Sequence, residues 1–489
     1  MKKQIKLSSN KNISTGESTM TQTIINSTID NIINDYDIFY GKDNNVYISI
    51  PYNDSDEKRI VPIDSCHFKD FILLKYRHVH NVLSTQTFIT NCRDHISAEA
   101  RKSNKREDIF HRAGMLNGAI YIANVSERKT YKISKQSIKP VTNSKCRLYQ
   151  GNNSIPLPKP DLVSYSIEPL WELLNITDQH EQQLVLVWIL NSFYTITNYP
   201  VLVFYGEKGT AKSTSQKYIQ NLIDPSSNIH RAAPRKADTI VVSAANSHVI
   251  GYNNISKLTP QMQDDICMIS TGGTYTNRQN YSDRDEVSSD LMRPMMLNGI
   301  SPFIDAEDLL DRCVIFNLNV IGHSQRKTEV ELDEYFQQHH DKLLGWIFNT
   351  LQKVLSHIDT ITDFKPYCRM TDFAKFGLAV ERALGWKKGS FKKAYLRNIH
   401  QTKYRVVSRS KVARAIVRLK ENDALPYEGT YKGLLNSFKE NGTPIRLNPK
   451  LLSEDMKRAK EYLRVVHRIM IVKLPRSSQG NKIRITVKQ

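Results

Sequence analysis

Val201-Leu-Val-Phe-Tyr205 runs directly into Gly206-Glu-Lys-Gly-Thr-Ala-Lys-Ser-Thr214. Five consecutive apolar or aromatic residues bounded by glycine read as a strand covered on both faces. The next nine have the spacing of a phosphate-binding loop, with Ala211 where the usual pattern has its second glycine. Physical chemistry explains the spacing. The backbone N–H groups of a tight turn and of the following helix start surround a phosphate, Lys212 reaches the β and γ oxygens, and the Ser213 hydroxyl coordinates Mg2+. Gly206, Glu207, Lys208, Gly209, Thr210, Ala211, Lys212, Ser213 and Thr214 are therefore the expected nucleotide contacts, with ATP and Mg2+ as cofactors.

Around this loop helical and strand patterns alternate. An apolar helix is expected over Glu181–Thr195, a helix from Lys212, and strands over Val249–Tyr252, Pro294–Gly299 and Cys313–Leu318, which together spell an α/β sheet with crossover helices. Ser247-His-Val-Ile-Gly-Tyr-Asn-Asn254 ends in two amides where an NTPase normally carries a metal-orienting Asp and a water-activating Glu. Asn253 and Asn254 can hold a water but cannot take its proton. Asp264, Asp265 and Glu286 are the nearby candidates for a base, and a site that binds nucleotide without turning it over is the alternative. Arg293-Pro-Met-Met-Leu-Asn298 is a further strand ending in an amide, and Asp308-Leu-Leu-Asp-Arg312 sets an arginine just before the next strand.

The chain has 489 residues, enough for about three domains at roughly 150 residues each. Hydrophobic residues make up 40% and charged residues 24%, as in packed globular chains. No apolar run approaches the ~18 residues of a membrane span, and the N-terminus lacks the apolar segment of a secretory signal. A cytoplasmic location in a bacterial cell is expected. Six scattered cysteines without a CxxC fit a reducing compartment. The net charge is +20, and residues 385–489 hold 26 basic against 7 acidic side chains, so this stretch carries nearly all of the excess. Such a surplus favours a polyanionic partner, nucleic acid first. Residues 1–20 read as a disordered tail, 21–165 as a mixed, strand-rich domain closed by the linker Pro156-Leu-Pro-Lys-Pro160, 166–384 as the ATPase with a helical lid, and 385–489 as a basic domain. Glu329–Trp386 is expected to be helical throughout.

Three helices and a terminal hairpin in the basic domain are the parts of a winged helix. Arg409, Lys411, Arg414 and Arg418 on one helix, with Lys473, Arg476, Lys482 and Arg484 on the hairpin, suit phosphate contacts. A second hairpin is expected around Ser282–Asp285. Its Tyr275, Arg278, Tyr281 and Arg284 offer cations and aromatic faces for a single strand, or else an ordinary solvated surface. Cys66, His67, His78, His80, Cys92 and His95 are too irregularly spaced for a zinc site, and free cysteines with surface histidines account for them. Trp188, Trp346 and Trp386 fall within apolar helical patterns and are expected in the core.

The loop with alanine before lysine resembles that of MCM-type AAA+ helicases. Ala245–Ser256, Thr271-Gly-Gly273, Arg278, Tyr281, Arg293-Pro294 and Asp308–Arg312 resemble the MCM-like, superfamily 6 initiator-helicases of mobile elements. The nearest resemblance is to those of staphylococcal pathogenicity islands and their relatives in resistance cassettes. It runs from about residue 110 to residue 384 and more loosely beyond. The resemblance implies an AAA+ core and an ATP-dependent, self-loading replication initiator and DNA helicase, moving 3′ to 5′ on one strand as a hexameric ring. It makes Asn298 the sensor 1 residue, Arg312 an arginine finger acting on the neighbouring subunit, and Arg369 the sensor 2 residue, and it aims the 274–291 hairpin at DNA in the channel. Many relatives have Asp-Asn where this chain has Asn253-Asn254, which leaves open an ATP-gated origin-binding protein with little hydrolysis.

Overall fold

The structure is a computed structural model that describes residues 26–52, 58–81, 83–102, 106–142, 144–151, 153–163, 166–278, 286–408, 410–475 and 481–488. Tyr281, Arg284, Arg409, Arg476 and the expected tail over residues 1–20 lie outside them.

A five-stranded sheet organises the centre of this mixed α/β chain. Its order is Arg231–Ala232, Ile250–Asn253, Met295–Gly299, Val201–Tyr205, Cys313–Asn317, and every neighbouring pair is parallel. The continuous apolar run of Val201–Tyr205 has its cause in two-sided burial. Leu202 and Phe204 face a core shared with Leu186, Trp188, Tyr218 and Phe348, whereas Val201, Val203 and Tyr205 face Ile240, Met262 and Ile266. The helix Gln179–Asn191 is buried along most of its length, capped by the Asp178 carboxylate, and its Trp188 Nε1–H donates to Pro200 O at 2.6 Å. At the sheet's edge, Asn398 of the helix Ser390–Ser408 substitutes for a missing strand: its amide accepts from Ile315 N (3.1 Å) and donates to Ile315 O (2.7 Å).

Towards the N-terminus, strands Lys58–Pro62, Val46–Pro51, Asp37–Gly41 and Arg106–Glu107 form a sheet backed by helices Cys66–His80 and Gln86–Lys102. Ile48, Phe68, Ile72, Cys92 and Ile96 fill its own core. A four-stranded antiparallel meander follows over residues 113–141, and its Ile120, Ile122 and Ile133 join the core of the central sheet. The expected all-helical stretch is broken. The helix Glu329–His357 starts with a Thr328/Glu331 capping box and a second, Thr371–Ala383, begins only after a segment containing Pro366, which cannot continue a helix. The basic region holds helices Lys411–Glu421, Tyr431–Glu440 and Pro449–His467. They pack on an antiparallel sheet in the order Tyr427–Thr430, Lys482–Val487, Ile469–Lys473, around Ile416, Leu434, Leu463 and Ile485.

One buried guanidinium joins the meander, the proline linker and the central sheet. Arg112 is 2% exposed. Its Nε pairs with Asp224 Oδ1 at 3.0 Å, Nη1 donates to Ala123 O and Asn124 O, and Nη2 donates to Ser154 Oγ, Ile155 O and Pro225 O. The other Asp224 oxygen accepts the backbone N–H groups of His248 and Val249, at the entry to the strand Ile250–Asn253. Charge and donors are thus all satisfied, and removing one partner leaves the other buried and unpaired. Arg112→Ala is expected to lower unfolding stability by about 3–5 kcal/mol, read as a shift in the denaturant midpoint.

Candidate nucleotide site

All five strands point the same way, so their C-terminal ends line up on one edge, where the crevice of an open α/β sheet binds ligands. The loop after Tyr205 lies there. Gly206 allows close approach, since a Cβ on it would lie 2.8 Å from Leu318 O. Gly209 (φ 79°) and Ala211 (φ 56°) both take left-handed backbone, and the helix Lys212–Ile223 starts directly after. Alanine therefore occupies the conformation that the usual glycine would favour, at a cost of about 1–2 kcal/mol. Asn175, 35 residues earlier, holds the loop from outside by donating to Thr210 O (3.2 Å) and Asn319 O (2.7 Å).

Lys212 is 8% exposed, and burial pulls its ammonium pKa down. Its Nζ donates to Gly206 O (2.8 Å), Glu207 O (2.7 Å) and Thr210 Oγ1 (3.2 Å), so the charge sits beneath the loop and braces its shape. Ser213 and Thr214 are half-buried in the first helical turn, and Glu207 and Lys208 are exposed. A tight loop of backbone groups around a buried ammonium, at a helix start, is a donor set that fits a triphosphate, and the Ser213 hydroxyl is the group within it that fits Mg2+.

The amides at the strand ends meet beside the loop. Asn298 is fully buried, with Nδ2 donating to Gln216 Oε1 (2.7 Å) and to Asn253 Oδ1, and with Oδ1 accepting the backbone N–H of Asn254 (2.9 Å). Because the backbone N–H fixes the Asn298 oxygen, Asn298 must present N–H to Asn253, and Asn253 in turn presents its own NH2 to His230 Nδ1 (2.7 Å). His230 thus accepts at Nδ1. Among the described residues no carboxylate joins this chain of amides. Asp265 is buried on the helix Pro260–Thr271 beside Gln261, its carboxyl pKa raised by burial, and Asp264 is exposed. Gln216, His230 and Asn175 escaped the sequence reading. Gln216 alone carried a signal, lying one turn after Lys212 on the inward face.

Arg312 lies at the opposite edge. It precedes Cys313, which pairs with Val201, and its carbonyl accepts from Val201 N at 2.8 Å. A five-residue strand separates it from the loop, roughly 16 Å at about 3.3 Å per residue. The Arg312 side chain is 9% exposed and its Nη1 pairs with Asp308 Oδ1 at 2.5 Å, while Nη2 of the exposed Arg369 approaches the same oxygen at 3.6 Å. Both arginines hold the Asp308 carboxyl below its usual range, Arg312 foremost. The structure therefore brings Arg312 and Arg369 together, away from their own chain's loop.

Strands Thr274–Arg278 and Glu286–Asp290 pair antiparallel, with Tyr275 and Arg278 on the first. Lys411, Arg414 and Arg418 are exposed along one helix, and Lys473 is exposed on the terminal hairpin. Lys482 is half-buried there, and Arg484 pairs with Glu428 at 2.8 Å. Among the described residues no cluster of three or more His, Cys, Asp or Glu could hold a metal ion, and no helix is long and apolar enough to cross a membrane.

Residues 167–401 match the family described as Actinomycete integrative conjugative element replication protein. This central part of the chain is thus similar to replication proteins of mobile elements. No curated protein matches the chain. Among solved structures, SCCmec type IV Cch, described as an active helicase, is 10% identical with a TM-score of 0.45, covering 92% of this chain and 93% of that one. The apo C-terminal region of NrS-1 is 13% identical with a TM-score of 0.40, covering 93% and 96%. These likenesses are loose.

The left-handed backbone at residue 211 sets an ordering. Ala211→Gly is expected to leave thermal stability unchanged or raise it by up to about 1 kcal/mol, whereas Ala211→Val, β-branched at a positive φ, is expected to lower it by 1 kcal/mol or more.

Proposed function

We propose that the chain is the ATP-driven replication initiator and DNA helicase of a mobile element, working as a ring, most simply of six copies, in the cytoplasm of a bacterial host. The observation that carries this reading is the division of the central sheet. One edge holds the Gly206–Thr214 loop with Asn253 and Asn298, and the other holds Arg312 and Arg369. A site built this way lacks Arg312 and Arg369 unless a second chain brings its opposite edge to the loop. In this reading residues 166–384 are an AAA+ motor, 385–489 a winged-helix domain on duplex origin DNA, and 21–165 a collar.

The loop N–H groups and Lys212 bind the β- and γ-phosphates of ATP, and Ser213 holds Mg2+, which would neutralise charge on the transferred phosphoryl group. Asn298, with Asn253 and Asn254, positions the attacking water. Its two amide hydrogens are engaged within the free chain, so one of them turns to the water when the site is filled. Arg312 and Arg369 stabilise the charge that develops at the neighbour's γ-phosphate, as arginine fingers do. The hairpin with Tyr275, Arg278, Tyr281 and Arg284 grips the translocated strand, with 3′-to-5′ movement as the direction the family resemblance favours. Arg409, Lys411, Arg414, Lys473, Arg476, Lys482 and Arg484 contact duplex phosphates.

A second reading has its own support. The closed amide chain and the two asparagines suit an ATP-gated origin-binding protein that hardly hydrolyses nucleotide. ATP turnover with and without single-stranded DNA, beside Lys212→Ala as the blank, separates the two. A helicase is expected to show DNA-stimulated turnover that is lost in the variant. Tight ATP binding with turnover no higher than the blank would replace the motor by the gated binder.

A further inference from the structure

Besides Lys208 and Lys212 of its own sequence, the loop has a cation that comes from elsewhere in the chain. Arg326 follows the short turn His323–Gln325, more than a hundred residues after Lys212. A backbone contact pins this segment to the loop, Ile321 N–H donating to Gly209 O (3.2 Å), and the Arg326 side chain folds back on its own segment, Nε donating to Ile321 O (3.2 Å). The side chain therefore lies over the turn of the loop, close enough that a Cβ on Gly209 would fall 2.7 Å from Arg326 Nη2. Glycine at 209 thus serves two ends, the left-handed backbone and the seat of the guanidinium.

Two neighbouring cations are already matched with carboxylates. Lys217 pairs with Glu329 (3.0 Å) and Asp333 (2.7 Å), and Lys327 pairs with Glu172 (3.1 Å). Among the described residues no carboxylate lies within ion-pair distance of Arg326, which is exposed. Lys212 is different again, buried and facing the carbonyls of Gly206 and Glu207 from below. The loop is flanked by a buried ammonium on one side and an accessible guanidinium on the other, and the guanidinium keeps its two Nη groups as a fork suited to phosphate oxygens.

We propose that Arg326 is a phosphate-binding residue of its own chain's nucleotide site, closing on the triphosphate from the side opposite Lys212. This rests on reading the loop as the nucleotide site. Arg326 is a ground-state contact made within one chain, distinct from the arginines that reach a neighbour's site from the far edge.

The test is displacement of a fluorescent ATP analogue by ATP and by ADP from the full chain, comparing wild type, Arg326→Ala, Arg326→Lys and Lys212→Ala. Arg326→Ala is expected to weaken ATP binding about tenfold or more, the scale of a hydrogen bond to a charged group. Arg326→Lys, which keeps the charge and loses the fork, should fall between it and wild type. The Arg326→Ala deficit should shrink as salt is raised, because the contact is exposed. An Arg326→Ala chain that binds ATP as wild type does, while Lys212→Ala is weakened, would overturn this assignment alone. Undiminished binding in Lys212→Ala as well would overturn the loop reading with it. Melting temperatures of the variants keep a folding defect apart from a lost contact, and the milder lysine variant carries the test if alanine unfolds the chain.

Discussion

The parallel register of five strands governs everything else in the molecule. Leu202 to Tyr205 pair with Met296 to Gly299 on one side, and Val201 to Tyr205 pair with Cys313 to Asn317 on the other. Parallel pairing fixes which residues share an edge. Whatever follows a strand collects at one end of the sheet, and whatever precedes a strand collects at the other. The Gly206–Thr214 loop follows a strand and Arg312 precedes one, so a single chain cannot bring the two together without unpairing the sheet. A nucleotide site that uses both needs two chains, which is how a local feature of register becomes an argument about assembly.

The polar groups near the loop hold it in a prepared state. Lys212 would be costly to bury alone, and its ammonium is stabilised by three oxygens of the loop it braces. Asn298 is similarly saturated by Gln216, Asn253 and the Asn254 backbone. Preorganisation lowers the reorganisation needed when an anion arrives, while the amides must exchange one protein partner for a water before they can contribute to hydrolysis. Farther away, Arg112 and Asp224 tie the entry of the Asn253 strand to the meander and to the linker, so the N-terminal half bears on the geometry of the site.

Much of the central sheet was legible in the sequence because its signal is local. The sequence pattern matches Val201–Tyr205 to the residue and the strands ending at Asn253, Gly299 and Asn317 to within one residue, since full burial on both faces leaves an apolar run. The strand Arg231–Ala232 has two residues and leaves no such run. The helix Ser390–Ser408 is rich in Lys, Arg and polar residues, so its apolar face is diluted and the sequence pattern does not show it. Glu329–Trp386 reads as one continuous helical stretch because the apolar period resumes on both sides of Pro366. Within the site, the loop and the strand-end amides could be named in advance, yet their partners could not. His230, Asn175 and Arg326 reach the loop or its amides only through the fold, and nothing in their flanking residues marks them, whereas Gln216 is marked only by its place one turn after Lys212. The shared hold of Arg312 and Arg369 on Asp308 was hidden for the same reason.

Completion of the site by a second chain is tested by mixing two inactive variants. Lys212→Ala should lack turnover for want of a working loop, and Arg312→Ala for want of the arginine from the other edge. Mixed in varying ratios, the two inactive chains are expected to regain a fraction of the wild-type ATPase rate, greatest near equal amounts, because mixed contacts pair an intact loop with an intact arginine. Wild-type turnover by Arg312→Ala alone, or no recovery at any ratio in mixtures shown by light scattering to assemble, would contradict it.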